Sequence, residues 1–326
     1  MDAVGKASAK LILFGEHAAV YGHPAVGIAL PEEITVRLSG RPSAEWDLDS
    51  VAESDRGTIR RVLDRLEELL PELGARGRCR VALESSIPRG AGFGSSAALC
   101  SAFARAGLAR LHGAAAPAAD GAQAEDPWRL AHGMERIFHG TPSGIDTGLS
   151  LHPGLSAFFP RPPALPERER LPGIDLFLVV GAAPRADDAA GLIAGLRERM
   201  RSGDAGVRES LDALGRIARE ARGILQGASA GALPLLASLV EEAMARLRSL
   251  GLSTPALDEL LREGKSAGAL GGKLSGAGGG GAFFLVMPGE KSAEAAARLL
   301  ASVALRRGMP LVSAPRLVVV RQDSSR

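Results

Sequence analysis

One stretch limits what this chain can fold into more than any other: Pro88-Arg89-Gly90-Ala91-Gly92-Phe93-Gly94-Ser95-Ser96-Ala97-Ala98. Three glycines alternate with small or apolar residues, and two serines lead into a run of helix formers. Residues 79–84 before it read as a strand. Residues 97–112 after it read as a helix carrying little but Ala, Leu, Phe, Ser and one Cys. A strand, a glycine loop and a helix start together make an anion site. Glycines let backbone N–H groups approach a phosphate, and the free N–H groups of the first helical turn add a positive dipole end. The serines can cap the helix or reach a phosphate-bound cation. No Gly-Lys-Ser/Thr ends the loop, so it is not a Walker A motif. No acidic residue sits at the end of a second strand about 20 residues on, as a dinucleotide fingerprint requires. The loop alone leaves two readings open, a phosphate cradle or a turn that merely reverses the chain.

Composition excludes more than it selects. With 39 basic and 37 acidic residues the net charge is +2, which gives no footprint for nucleic acid or an acidic membrane. Aromatics at 4% supply no base-stacking platform. Cys79 and Cys100 stand alone, with no Cys-x-x-Cys spacing, and suit a reducing, cytoplasmic setting. No secretory leader and no apolar run of membrane-spanning length is expected.

Along the chain, Leu11–Phe14 reads as a buried strand and residues 34–38 as a half-buried one. Residues 40–56 are polar and turn-rich. Apolar residues at helical spacing predict a helix over 57–70, stopped by Pro71. Residues 113–125 read as a low-complexity surface connection. Asp126-Pro127 starts a helix that runs to Glu135, with a capping carboxylate before a first-turn proline. Five prolines in 160–172 suggest a domain boundary, placed between residues 168 and 169. The second half reads as a strand at 176–180 and helices near 187–202, 205–226, 231–250 and 254–263. A second glycine loop follows over 271–281, then a strand at 282–286, a helix at 291–307 and a strand at 317–320.

Three motifs now stand in order: Lys10-Leu11-Ile12-Leu13-Phe14-Gly15-Glu16-His17, the opening loop, and Lys273 to Gly281. Together they resemble the signature motifs of the GHMP kinase superfamily over nearly the whole chain. Within it, Glu16-His17-Ala18-Ala19-Val20-Tyr21-Gly22 is similar to the mevalonate kinase family. So is Glu135 with His139-Gly140-Thr141-Pro142-Ser143-Gly144-Ile145-Asp146. Two departures are Ala9, where the family usually has glycine, and Gly181-Ala182-Ala183, where Thr or Asn is frequent.

The resemblance implies an α+β, two-domain fold. An N-terminal ATP-binding domain like domain 2 of ribosomal protein S5 spans 1–168, and a ferredoxin-like C-terminal domain spans 169–326, with the active site between them. It implies ATP- and Mg²⁺-dependent phosphorylation of the C5 hydroxyl of mevalonate. The same residues leave open another superfamily substrate (a sugar, a sugar phosphate or phosphomevalonate) or a non-catalytic binding role. Homodimerisation is compatible with either.

By the same resemblance Asp146 is the catalytic base and Lys10 its partner, stabilising charge at the attacking oxygen. Ser96, or less readily Ser95, and Glu135 would hold Mg²⁺. Pro88, Gly90, Ala91, Gly92, Gly94, Ser95, Ser96 and Ala97, with Gly276 and Gly278, would cradle the phosphates. Glu16, His17 and Ala277 would line the substrate pocket. His139 is expected to shape its turn, and His23, His112, His132 and His152 are expected at the surface or in turns. The adenine pocket is expected from residues 45–60 and the long helix.

Overall fold

The computed structural model describes residues 2–113, 126–186, 189–227 and 231–322. The expected connection over 113–125 lies, from residue 114 on, outside the described residues. Two antiparallel sheets organise the chain. The first contains β1 (Ala3–Phe14), β2 (Ala25–Ser43), β3 (Arg78–Ser85), β4 (Leu155–Arg161) and β5 (Ala164–Arg170). Its order is β1-β2-β4-β5, and the long β2 pairs β4 through residues 25–28 and β3 through residues 34–43. Helices α1 (Glu53–Leu69), α2 (Pro71–Ala75), α3 (Ser95–His112), α4 (Pro127–His139) and α5 (Ile145–Leu151) accompany it.

The second sheet holds β6 (Leu176–Ala183), β7 (Gly271–Leu274), β8 (Gly281–Met287) and β9 (Ser313–Val320), in the order β7-β8-β6-β9. Helices α6 (Ala189–Arg201), α7 (Ala205–Gly227), α8 (Ala232–Ser249) and α9 (Pro255–Ser266) join β6 to β7, and α10 (Glu290–Arg306) joins β8 to β9. This is the ferredoxin-like strand order, so the last strand stays in the second domain.

The long helix α3 explains its own composition. Ala98, Cys100, Ala102, Phe103 and Ala104 are all 0% exposed, so the helix is a buried rod with no polar face to show in the sequence. The rod packs against β1, and its N-terminus follows the glycine loop directly.

Several segments depart from the expectation. The proline-rich run is no linker: β4 and β5 form a hairpin across it, pairing Arg161 with Ala164, and β5 continues two residues past position 168. Pro162 and Pro163 occupy the turn, Pro166 the edge strand β5, and Pro160 the register shift near the end of β4, where missing N–H donors cost little. Gly271 to Leu274 form strand β7, not a loop. A Cβ on Gly271 would lie 2.6 Å from the Ala237 carbonyl oxygen, so that glycine serves close packing under α8. Residues 40–43 continue β2, and α1 begins at Glu53. Three of the histidines expected at the surface or in turns are partly buried, two of them, His23 and His152, still outside regular elements. His23 faces Asp212 and Arg219 across the domain interface (3.3 and 3.0 Å). His132 is partly buried, and His152 packs edge-on to Trp128 with Nδ1 2.7 Å from the Gly148 carbonyl oxygen. Both cysteines are free and buried. No helix of the described residues is long and apolar enough to cross a membrane.

Candidate active site

A cavity of about 540 Å³ opens between the two sheets. The expected residues Lys10, Glu16, His17, Gly90, Gly92, Gly94, Ser95, Ser96, Glu135, Asp146, Gly276 and Ala277 line it. Pro88, Ala91, Ala97 and Gly278 do not; Ala91 and Ala97 are fully buried. None of residues 45–60 reaches this cavity. One of them, Asp55 in the first turn of α1, forms an ion pair with Arg89 of the glycine loop.

Lys10 enters the cavity because β1 is irregular. Its register against β2 shifts between Ser8 and Lys10, and the alternation of buried and open residues breaks there. A shift of this kind re-aims a side chain. The ammonium group comes to 3.2 Å from Asp146 Oδ2, with Lys10 5% and Asp146 35% exposed. The Lys10 backbone N–H donates to the Phe93 carbonyl (2.9 Å), which ties β1 to the glycine loop. Gly94 makes this close approach feasible. It takes φ +75°, and a Cβ on it would stand 2.6 Å from Lys10 Cγ and 2.7 Å from Cε.

Gly94 also starts α3, where no side chain caps the helix. The first helical bond described runs from Ala98 N–H to the Gly94 carbonyl (2.9 Å). The N–H groups of Ser95, Ser96 and Ala97 thus precede the helical ladder at its positive end, as an anion site requires.

Ser96 Oγ donates to Glu135 Oε1 (2.8 Å), and His139 Nε2 lies 3.2 Å from the same oxygen. Glu135 Oε2 is buried with no partner among the described residues. A buried carboxylate beside a hydroxyl is an oxygen donor pair that would suit Mg²⁺. Burial pushes the Glu135 carboxyl up to about 7; the Ser96 hydrogen bond opposes this and the Asp146 charge adds to it.

This carboxyl has a stability consequence. Unfolded, it ionises near 4.5, while the native state keeps the proton to about 7. Its contribution is present below pH 4.5 and lost as pH rises through 7. His17 has the opposite sign. Its pKa falls from 6.5 to about 4, so its contribution is present above 6.5 and lost as pH falls. We expect Glu135→Gln, without nucleotide or Mg²⁺, to gain about 3 kcal/mol on the parent between pH 4.5 and 7. Urea unfolding at a series of pH values measures this, and parallel curves for the two proteins would refute it.

His17 occupies an unusual backbone. With φ 61° and ψ −46°, and Ala18 N–H donating to the Glu16 carbonyl (2.7 Å), it is the centre of a γ-turn of the rare positive-φ kind. Such a conformation costs on the order of 1–3 kcal/mol. Burial is the main cause that holds the imidazole neutral; the backbones of Ala277 and Gly276 work the other way. Its Nε2 is buried with no partner among the described residues. Glu16, next to it, is turned toward the second domain, where its Oε1 takes Lys273 Nζ.

Arg185 and Arg197 also line the cavity, and sequence reasoning missed both. Neither sits in a motif. Arg185 follows the Gly181-Ala182-Ala183 end of β6, and Arg197 lies on α6. With Lys10 they add three positive charges to the cavity walls, suited to a triphosphate and an anionic acceptor.

The GHMP kinases N-terminal domain family matches residues 57–154, and the GHMP kinases C-terminal family matches 207–304. A mevalonate kinase of Pyrococcus horikoshii is 31% identical to the chain over 95% of it and 94% of its own length. The chain belongs to the GHMP kinase family. This GHMP kinase is also 33% identical to a mevalonate kinase of Methanothermobacter thermautotrophicus, over 89% of the chain and 91% of the relative. Among solved structures, L. major mevalonate kinase in complex with R-mevalonate has a TM-score of 0.78 at 22% identity, covering 100% of this GHMP kinase and 97% of that chain. Streptococcus pneumoniae phosphomevalonate kinase reaches 0.74 at 15%, over 97% and 99%. These likenesses establish the fold and do not distinguish the acceptors.

Proposed function

We propose that this GHMP kinase transfers the γ-phosphoryl group of ATP to the C5 hydroxyl of mevalonate, giving 5-phosphomevalonate for isoprenoid biosynthesis. One observation carries the choice of acceptor: the relatives at about 30% identity, matched over 86% or more of this chain, are named mevalonate kinases. Phosphoryl transfer needs little covalent help from a protein and much positioning and charge neutralisation. Asp146 accepts or orients the proton of the acceptor hydroxyl. Lys10, paired with it at 3.2 Å, faces the charge that develops on the attacking oxygen. The uncapped N–H groups of α3 and the Gly90–Gly94 backbone hold the triphosphate. Ser96 and Glu135 would hold Mg²⁺, which when bound neutralises phosphate charge. The turn at His17, with Ala277 opposite, takes the acceptor. The buried free cysteines accord with a cytoplasmic setting.

Coupled ADP release with ATP, Mg²⁺ and mevalonate tests the reading, beside galactose, homoserine, phosphomevalonate and heptose phosphates as alternative acceptors. Mevalonate is expected to give the highest kcat/KM. Turnover on another acceptor and none on mevalonate would overturn the acceptor assignment and leave the kinase assignment standing.

A further inference from the structure

Two contacts cross the domain interface on the acceptor side of the cleft. Lys273 Nζ, on β7, donates to Glu16 Oε1 and to the Leu274 carbonyl (2.7 Å); the two charged side chains are 0% and 2% exposed. Ser275 Oγ accepts from the Ile12 N–H (3.1 Å) and donates to the Ile12 carbonyl (2.8 Å). Both partners lie on the segment that carries Lys10 and ends in the γ-turn. Glu16 is itself part of that turn, since its carbonyl takes the Ala18 N–H.

A backbone in a sparsely populated region persists only where its surroundings over-determine it. Here the residue just before the strained one is anchored from the other domain. A fully buried ion pair is a poor source of folding energy, because desolvation offsets the attraction and well-packed apolar residues commonly do as well. Burial pushes the Glu16 carboxyl up and the Lys273 ammonium down, which is the cost of putting the pair there. Its placement beside the turn argues for geometry.

We propose that Lys273 and Ser275 are positioning residues: acting through Glu16 and Ile12, they clamp the strained turn so that His17 meets the acceptor. Most of the triphosphate cradle, α3 and the Gly90–Gly94 loop, lies on the first domain and makes neither of these two contacts, although Gly276 beside Ser275 lines the same cavity. The proposal rests on the kinase reading of the cleft. It is measured on whichever acceptor the wild-type enzyme phosphorylates, so a wrong acceptor and a wrong clamp give different results.

The test is steady-state kinetics of Lys273→Met and Ser275→Ala with both substrates varied. Lys273→Met is expected to raise the acceptor KM about tenfold or more and leave the ATP KM within about twofold, as misplacement of one substrate-positioning element would. Ser275→Ala, which leaves no buried charge unpaired, is expected to raise the acceptor KM several-fold with the same selectivity. Equal changes in both KM values, or a lowered Tm with both KM values unchanged, would overturn the clamp. If Lys273→Met does not fold, Ser275→Ala decides alone, and wild-type KM values there overturn the proposal.

Discussion

Asp146→Asn is expected to lower kcat by roughly 10²-fold or more while nucleotide affinity stays within about twofold. The asparagine keeps size and shape and removes the negative charge that accepts or orients the hydroxyl proton. Asp146 sits in the first turn of α5, so a structural role as a helix-terminal charge must be separated from a catalytic one. That structural role is worth about 0.3–1 kcal/mol at a partly exposed site. It would appear in Tm, together with the cost of leaving Lys10 without its partner, whereas catalytic loss appears in the kcat of the folded enzyme. The loss should fall on kcat and kcat/KM alike, the pattern of an interaction made in the transition state. Fluorescent-nucleotide titration and single-turnover kinetics measure the two halves. Unchanged turnover would remove Asp146 from the chemistry and leave Lys10 3.2 Å from a carboxylate with only a charge-balancing role.

The second large effect is expected at a residue with no side chain. Gly94→Ala should lower kcat by about as much as loss of Lys10 itself, on the order of 10²-fold, because a misplaced reacting group costs that much. Two penalties coincide there. The φ of +75° is unfavourable for any Cβ, and that Cβ would meet the Lys10 stem at 2.6–2.7 Å. Lys10 is almost fully buried, and the open space beside its stem is the cavity, so relieving the clash shifts the stem and draws the ammonium group away from Asp146. Gly40→Ala supplies the control. It has φ +91° and open space around its Cβ position, so it reports backbone strain alone. A drop in kcat for Gly94→Ala, with a similar Tm loss in both variants, places the effect on Lys10. Equal kinetics in the two would refute it.

What could be read in the sequence was what is local. The opening loop, α3, the Asp126-Pro127 helix start and the Glu135–Asp146 segment each announce themselves within about a dozen residues, because glycine spacing and capping act at short range. The strand 282–286 was also legible, since a fully buried strand is an unbroken apolar run. The rest depends on contacts the chain makes late. Lys273 and Glu16 are separated by 257 positions, and nothing near either residue hints at the other. β7 looked like a loop because Gly271 and Gly272 admit either backbone, and pairing with β8 together with the close approach of α8 to Gly271 decides between them. His23 looked like a surface residue until α7 packed against it. Arg185 and Arg197 are ordinary charges in the sequence and join the cavity only by topology.

The anchoring of β1 also divides the cleft into unequal sides. At Ile12 and Glu16 the domains are joined by hydrogen bonds and a buried ion pair, and separating them would leave buried charges unpaired. That side behaves as a hinge pin. Across from it, Val20 is 65% exposed, Tyr21 39%, and Thr141 and Ser143 are open to solvent. The open lining of the cavity therefore lies along that outer rim, and the edge bearing Lys10 is closed by the contact between the domains.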